Sequence, residues 1–114
     1  MISRSIKSEA LGRLLDARMQ HTKWVAEVLH ERDPQVTEDH TLCEFGKWMI
    51  AVRDELDDLE EFQDLDVPHR ELHMVYKVLK SNPTHQILRE EIKLLSEKLI
   101  SRIDALEQRL AHLD

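Results

Sequence analysis

Glycine and proline are scarce in this chain, with 2 Gly and 3 Pro among 114 residues. A sheet of several strands needs more turn chemistry than that, so a strand-rich fold is not expected. The one cysteine, Cys43, excludes an internal disulfide framework and suits a reducing cytoplasm. No apolar run approaches the ~20 residues that a membrane span requires. Met1-Ile2-Ser3-Arg4 leads straight into mixed polar sequence, so no signal peptide is expected. Positive charge is in deficit: 16 Lys and Arg stand against 23 Asp and Glu, a net charge of −7 with histidine neutral. Without a basic stripe, a nucleic-acid partner is not expected. Nor does any Gly-rich loop or Ser- or Lys-based arrangement support an enzyme.

What is present is helix-forming. Leu, Glu, Lys, Arg and Ala dominate, and 41% hydrophobic with 34% charged residues describes a soluble globular chain. The length suits one domain, residues 1–114, with a modest core. Breaks divide it into four helical segments. The first is expected from about Ile6 to Glu31, with an apolar stripe of Leu11, Leu14, Leu15, His21, Val25, Val28 and Leu29. Asp33-Pro34 ends it, and a polar loop runs from Gln35 to His40. Thr41-Leu42-Cys43-Glu44 reads as a capping box, Thr41 at N-cap and Glu44 at N3, opening a second helix striped by Phe45, Trp48, Met49, Val52, Leu56 and Leu59. The acidic stretch Asp54 to Asp66 contains its end and a loop. Pro68 falls in the first turn of the third helix, where proline is tolerated. That helix carries His69, Leu72, His73, Val75, Tyr76 and Leu79, and Ser81-Asn82-Pro83 stops it and caps the next.

The fourth helix, Pro83 to about Ala111, has apolar residues at Leu88, Ile92, Leu95, Leu99, Ile103, Leu106, Leu110 and Leu113, nearly a heptad. About 30 residues span ~45 Å, more than the third helix can cover. Part of it is therefore expected to pack on a second copy or run into a neighbouring domain. The fold class is all-α, a four-helix bundle with a long C-terminal helix.

Three imidazoles and the thiol fall where these stripes should meet. His69 and His73, four residues apart, project from one helical face with Leu72 and Tyr76. His21 lies on the first stripe. Cys43, at N2 by the capping-box argument, is expected to have a lowered pKa from the helix N-terminus. Gly46, one turn on, removes a side chain from that face and points to close backbone approach. Each residue taken alone reads more readily as an ordinary core histidine or a small buried hydrophobe. Four soft donors on inward faces together read as a metal site, and Zn²⁺ best suits three nitrogens and one sulfur. His30, His40, His85 and His112 fall at helix ends or in a loop and are expected to be solvated, as are Thr22 and Lys23.

His21-Thr22-Lys23-Trp24, Cys43-Glu44-Phe45-Gly46-Lys47-Trp48 and His69-Arg70-Glu71-Leu72-His73 resemble the chemoreceptor zinc-binding (CZB) family. Its pattern is a His near a Trp, a Cys-x-Leu/Phe-Gly-x-Trp motif and a His-x-x-x-His, in that order. The matching segment runs from about Gln20 to Tyr76. The resemblance implies a four-helix bundle with one Zn²⁺ on His21, Cys43, His69 and His73, and with Trp24, Phe45, Gly46 and Trp48 packed around it. It also implies a bacterial cytoplasmic regulatory domain, homodimeric and joined to or partnered with a signalling domain of chemoreceptor or diguanylate cyclase type. Any catalysis would then belong to that output domain.

Other readings stay open at this point: a structural zinc staple in a helical dimerisation module, a Zn-thiolate oxidant sensor, and a metal-free interaction bundle. A di-iron enzyme or oxygen carrier also uses His-x-x-x-His, but needs more histidines and bridging carboxylates. The residue four after His21 is Val25, and a closed four-ligand set leaves no open position for substrate.

Overall fold

A computed structural model of the chain describes residues 3–30, 43–82 and 84–113. Its helices are α1 (Arg4–Leu29), α2 (Glu44–Ala51), α3 (Arg53–Leu56), α4 (Glu60–Gln63), α5 (Asp66–Ser81) and α6 (Gln86–Ala111). The architecture is an all-α bundle in which the second of four arms is broken into the short α2, α3 and α4. The expected Asp33-Pro34 stop, the loop through His40, Thr41 and Pro83 lie outside the described residues.

The long helix α6 organises the rest. Ile92, Leu95, Leu99, Ile103, Leu106 and Leu110 are all buried, at 0–5% exposure. The heptad spacing thus faces a single core, as the sequence predicts. Its cover is different from expectation. α5 has 16 residues against the 26 of α6 and spans only part of it, but α1 also has 26. α1 runs antiparallel along the full length of α6. Lys7 donates to the Leu113 carbonyl at one end at 2.8 Å, Arg18 pairs with Asp104 and Glu107 along the way, and Arg89 donates to the Leu29 carbonyl at the other end. α4 adds to the cover, with Glu61 3.7 Å from Arg109. The α6 stripe is covered within the chain, while Ile87 and Leu94 stand exposed elsewhere on the same helix.

The stripe of α1 differs in one respect. Leu14, His21, Val25 and Val28 are buried as expected, but Leu15 is 51% exposed and Leu11 only half-buried. Ala10 and Ala17 take the inward positions instead, at 1% and 2%. Alanine carries little hydrophobic signal in a sequence, yet it fits where two long helices lie close together.

The helix ends also correct expectation. Ser3 caps α1, its hydroxyl accepting from the Ile6 amide at 3.1 Å. Cys43 itself is the N-cap of α2, not N2, so Glu44 stands at N1. Asn82 is the C-cap of α5, and its side-chain amide donates to the Val78 carbonyl at 3.2 Å. α6 begins three residues later than Pro83 and is capped by the His85 ring, which accepts from the Leu88 amide at 3.3 Å. Pro68 does sit in the first turn of α5, where its missing N–H costs nothing.

Candidate metal centre

Three separate elements bring the donors together. α1 supplies His21 from its inward face. The N-cap of α2 supplies Cys43. α5 supplies His69 and His73, one turn apart on the face that packs inward. The ligand atoms of these four residues all lie within 4.8 Å of one another. The Cys43 sulfur stands 3.2 Å from His69 Nε2. Donors of a tetrahedral zinc site lie roughly 3.3–3.7 Å apart, given Zn–N of about 2.0–2.1 Å and Zn–S of about 2.3 Å. The cluster therefore needs only a contraction on the order of 1 Å to close on such an ion. Three imidazoles and one thiol are a donor set that zinc accepts.

The imidazole of His21 is oriented from behind. Its Nδ1 stands 2.7 Å from the Ala17 carbonyl. A carbonyl only accepts, so Nδ1 carries the proton and Nε2 is left with its lone pair for the site. Such an outer hydrogen bond fixes both tautomer and ring direction for a metal. Sequence reading missed Ala17, because a backbone acceptor one turn back leaves no mark in the residue pattern.

Aromatic rings wall the cluster. Phe45 meets His21 and His69 edge-on at 5.7 and 5.1 Å between ring centres. Trp24 lies 5.1 Å from His73 and 5.9 Å from His21, and Tyr76 backs it at 5.1 Å. Trp48 sits one layer out: it stacks on Phe45 at 5.8 Å and touches Phe62 beyond. Gly46 is buried, and its amide donates to the Cys43 sulfur at 3.3 Å. His30, His85 and His112 are exposed, as are Thr22 and Lys23, while His40 lies outside the described residues.

Burial decides the protonation of the donors in the metal-free chain. His21 is 6% exposed, and desolvation lowers its pKa from 6.5 against the opposing pull of the Ala17 bond. It is therefore neutral, the form that binds metal, at neutral pH. For Cys43 the expectation of a lowered pKa fails. Burial raises the thiol above its usual value, and the amides of Gly46 and Phe45 offset this only in part, with the Glu44 charge adding to the rise. Desolvation of the thiolate outweighs the partial positive charge of one helix end. Without metal the thiol is thus protonated at neutral pH, and it must shed its proton when it ligates. From the thiol alone, apparent zinc affinity should rise about tenfold per pH unit between pH 7 and 8. Competition titrations at several pH values measure this slope, and a flat profile would show that the thiolate is already present without metal.

No helix among the described residues is long and apolar enough to cross a membrane. No curated protein matches the chain, and no solved structure does. The family model of the chemoreceptor zinc-binding domain matches residues 20–80, more than half of the 114. That segment carries all four clustered donors, from His21 to His73. The chain belongs to the chemoreceptor zinc-binding domain family, and zinc is its cofactor.

Proposed function

We propose that the chain is a cytoplasmic zinc sensor whose metal is held by His21, Cys43, His69 and His73. The observation that carries this reading is the division of labour between core and site. The donors tie α1, α2 and α5 together, whereas the apolar stripe of α6 is buried without contributing a ligand. Leu99, Ile103, Leu106 and Leu110 have no exposed surface at all. A core of that kind stands on hydrophobic burial, so metal is free to come and go as a signal. When bound, zinc supplies charge and a tetrahedral link between three helices and no catalytic step. Four such donors would fill a tetrahedral shell and leave no position for substrate, so the chain is read as regulatory and not as an enzyme.

In this reading residues 1–114 act as one unit coupled to a signalling output of chemoreceptor or diguanylate cyclase type, either on the same polypeptide or as a partner. The homodimer expected from the heptad needs another surface, because that stripe is covered within the chain. Leu15 and Met19 on α1, and Val67, Met74 and Val78 on α5, are exposed apolar residues that such a surface can use.

Sensing is separated from stapling by removing the metal. The sensor reading predicts that the chelated chain keeps its helical circular dichroism and rebinds one zinc reversibly. Global loss of helix on chelation would establish a structural staple. The oxidant-sensing alternative has one observation in its favour: Cys43 is half-buried, whereas the three histidines of the cluster are buried. A hydroperoxide that expels zinc from the folded protein at low stoichiometry would move the assignment that way. The di-iron reading lacks its ligands, since no carboxylate joins the cluster among the described residues.

A further inference from the structure

α6 carries none of the four donors, yet it is the helix that spans the molecule. For zinc to be felt along it, another element must carry the displacement. α1 is placed to do so. His21 is fixed to its own helix backbone by the bond from Nδ1 to the Ala17 carbonyl, which ties the imidazole to the turn from Ala17 to His21. Arg18 lies in that turn, three residues before His21. Its guanidinium reaches across to α6 and is shared by Asp104 and Glu107. The arginine is about one-third exposed, and Glu107 is more buried than Asp104. Both acids lie in the last turns of α6, close to Arg109, which reaches the Glu61 carboxylate of α4.

From this geometry we propose that Arg18 is a positioning residue that couples occupancy of the zinc site to the C-terminal part of α6. The proposal rests on the four donors holding zinc. It adds the route by which their occupancy reaches the end of the long helix. Both carboxylates meet the same nitrogen, Nη2, so two acids one turn apart on α6 hold the arginine where a single flexible pair would not. Coupling of this kind is reciprocal: if zinc steadies the end of α6, the Arg18 bridge favours zinc by the same factor.

The test is amide hydrogen exchange on the full chain, with and without one equivalent of zinc. In the wild type, zinc should slow exchange over residues 104–111 by about threefold, the scale of a partly exposed ion-pair network. In Arg18→Gln, zinc should still bind and still protect the segment around His69 and His73, with residues 104–111 exchanging alike in both states. Its zinc affinity should fall by about the same threefold. Arg18→Lys, which keeps the charge on a shorter side chain, should fall between. Asp104→Asn combined with Glu107→Gln approaches the bridge from the other side and should reproduce Arg18→Gln. Zinc protection of 104–111 that survives in the variants, or is missing from the wild type, would overturn the coupling. A wild-type chain that takes up no zinc would instead overturn the zinc assignment on which the proposal rests, and zinc content distinguishes the two failures.

Discussion

Zinc at a thousand times its dissociation constant should raise the melting temperature of the metal-free chain by about 12–20 °C. The reasoning is linkage: a ligand that binds only the folded state stabilises it by about 4 kcal/mol at that excess. For a domain of this size, each kcal/mol is worth roughly 3–5 °C. The folded state alone presents the site, because His21, Cys43 and the His69–His73 pair come from three elements far apart in sequence. An unfolded chain keeps only the i,i+4 pair in proximity. The starting point of the melt matters as much as its shift. A cooperative transition before zinc is added is what the buried α6 stripe requires. A shift of less than about 2 °C would mean that the cluster does not take zinc in the folded protein.

Leu99→Ala should cost about 3–4 kcal/mol without removing zinc binding. Leu99 has no exposed surface and sits mid-way along α6, the helix against which α1, α4 and α5 all pack. Deleting its isobutyl group removes buried apolar area and leaves a cavity that long helices cannot close by a local shift. The melting midpoint of the metal-free protein should fall by roughly 10–20 °C. Zinc should then restore about the same increment as in the wild type, since Leu99 supplies no ligand and the two effects are expected to add. A variant that keeps wild-type stability would show that α6 is not the centre of the core. One that folds but loses zinc would show that core and site are not separable.

Much of this structure is legible in the residues themselves, and the exceptions have physical causes. The α6 stripe reads correctly from Leu88 to Leu113 because large aliphatic residues at near-heptad gaps lie on one face of a helix. The α1 stripe reads only in part. Leu15 is as apolar as Leu14 but stands 100° around the helix, and Ala17 is inward because of what packs against it. The start of α2 is misplaced because a sulfur, which a capping-box pattern does not count, acts as the cap acceptor at Cys43. The break of the second arm into α2, α3 and α4 shows in the sequence only as the acidic run from Asp54 to Asp66.

The cluster of His21, Cys43, His69 and His73 is legible because the histidines fall on inward helix faces and the motifs around Cys43 and His69 are specific. What the residues do not reveal is tertiary. The direction of the Cys43 pKa depends on burial by other helices. The Ala17 acceptor is a backbone group. The Arg18 bridge joins residues 89 positions apart.

The central claim, that His21, Cys43, His69 and His73 together hold one zinc, is tested most directly by metal analysis of the purified chain beside Cys43→Ala. The thiol is the donor most specific to zinc in this set, and loss of one ligand of four removes about a quarter of a binding energy on the order of 10–16 kcal/mol. That is a fall of roughly a hundredfold to a thousandfold in affinity. The wild type should carry one zinc per chain through desalting against a weak chelator, and Cys43→Ala should lose it while remaining helical. Zinc absent from the wild type, or retained in full by the variant, would contradict the account.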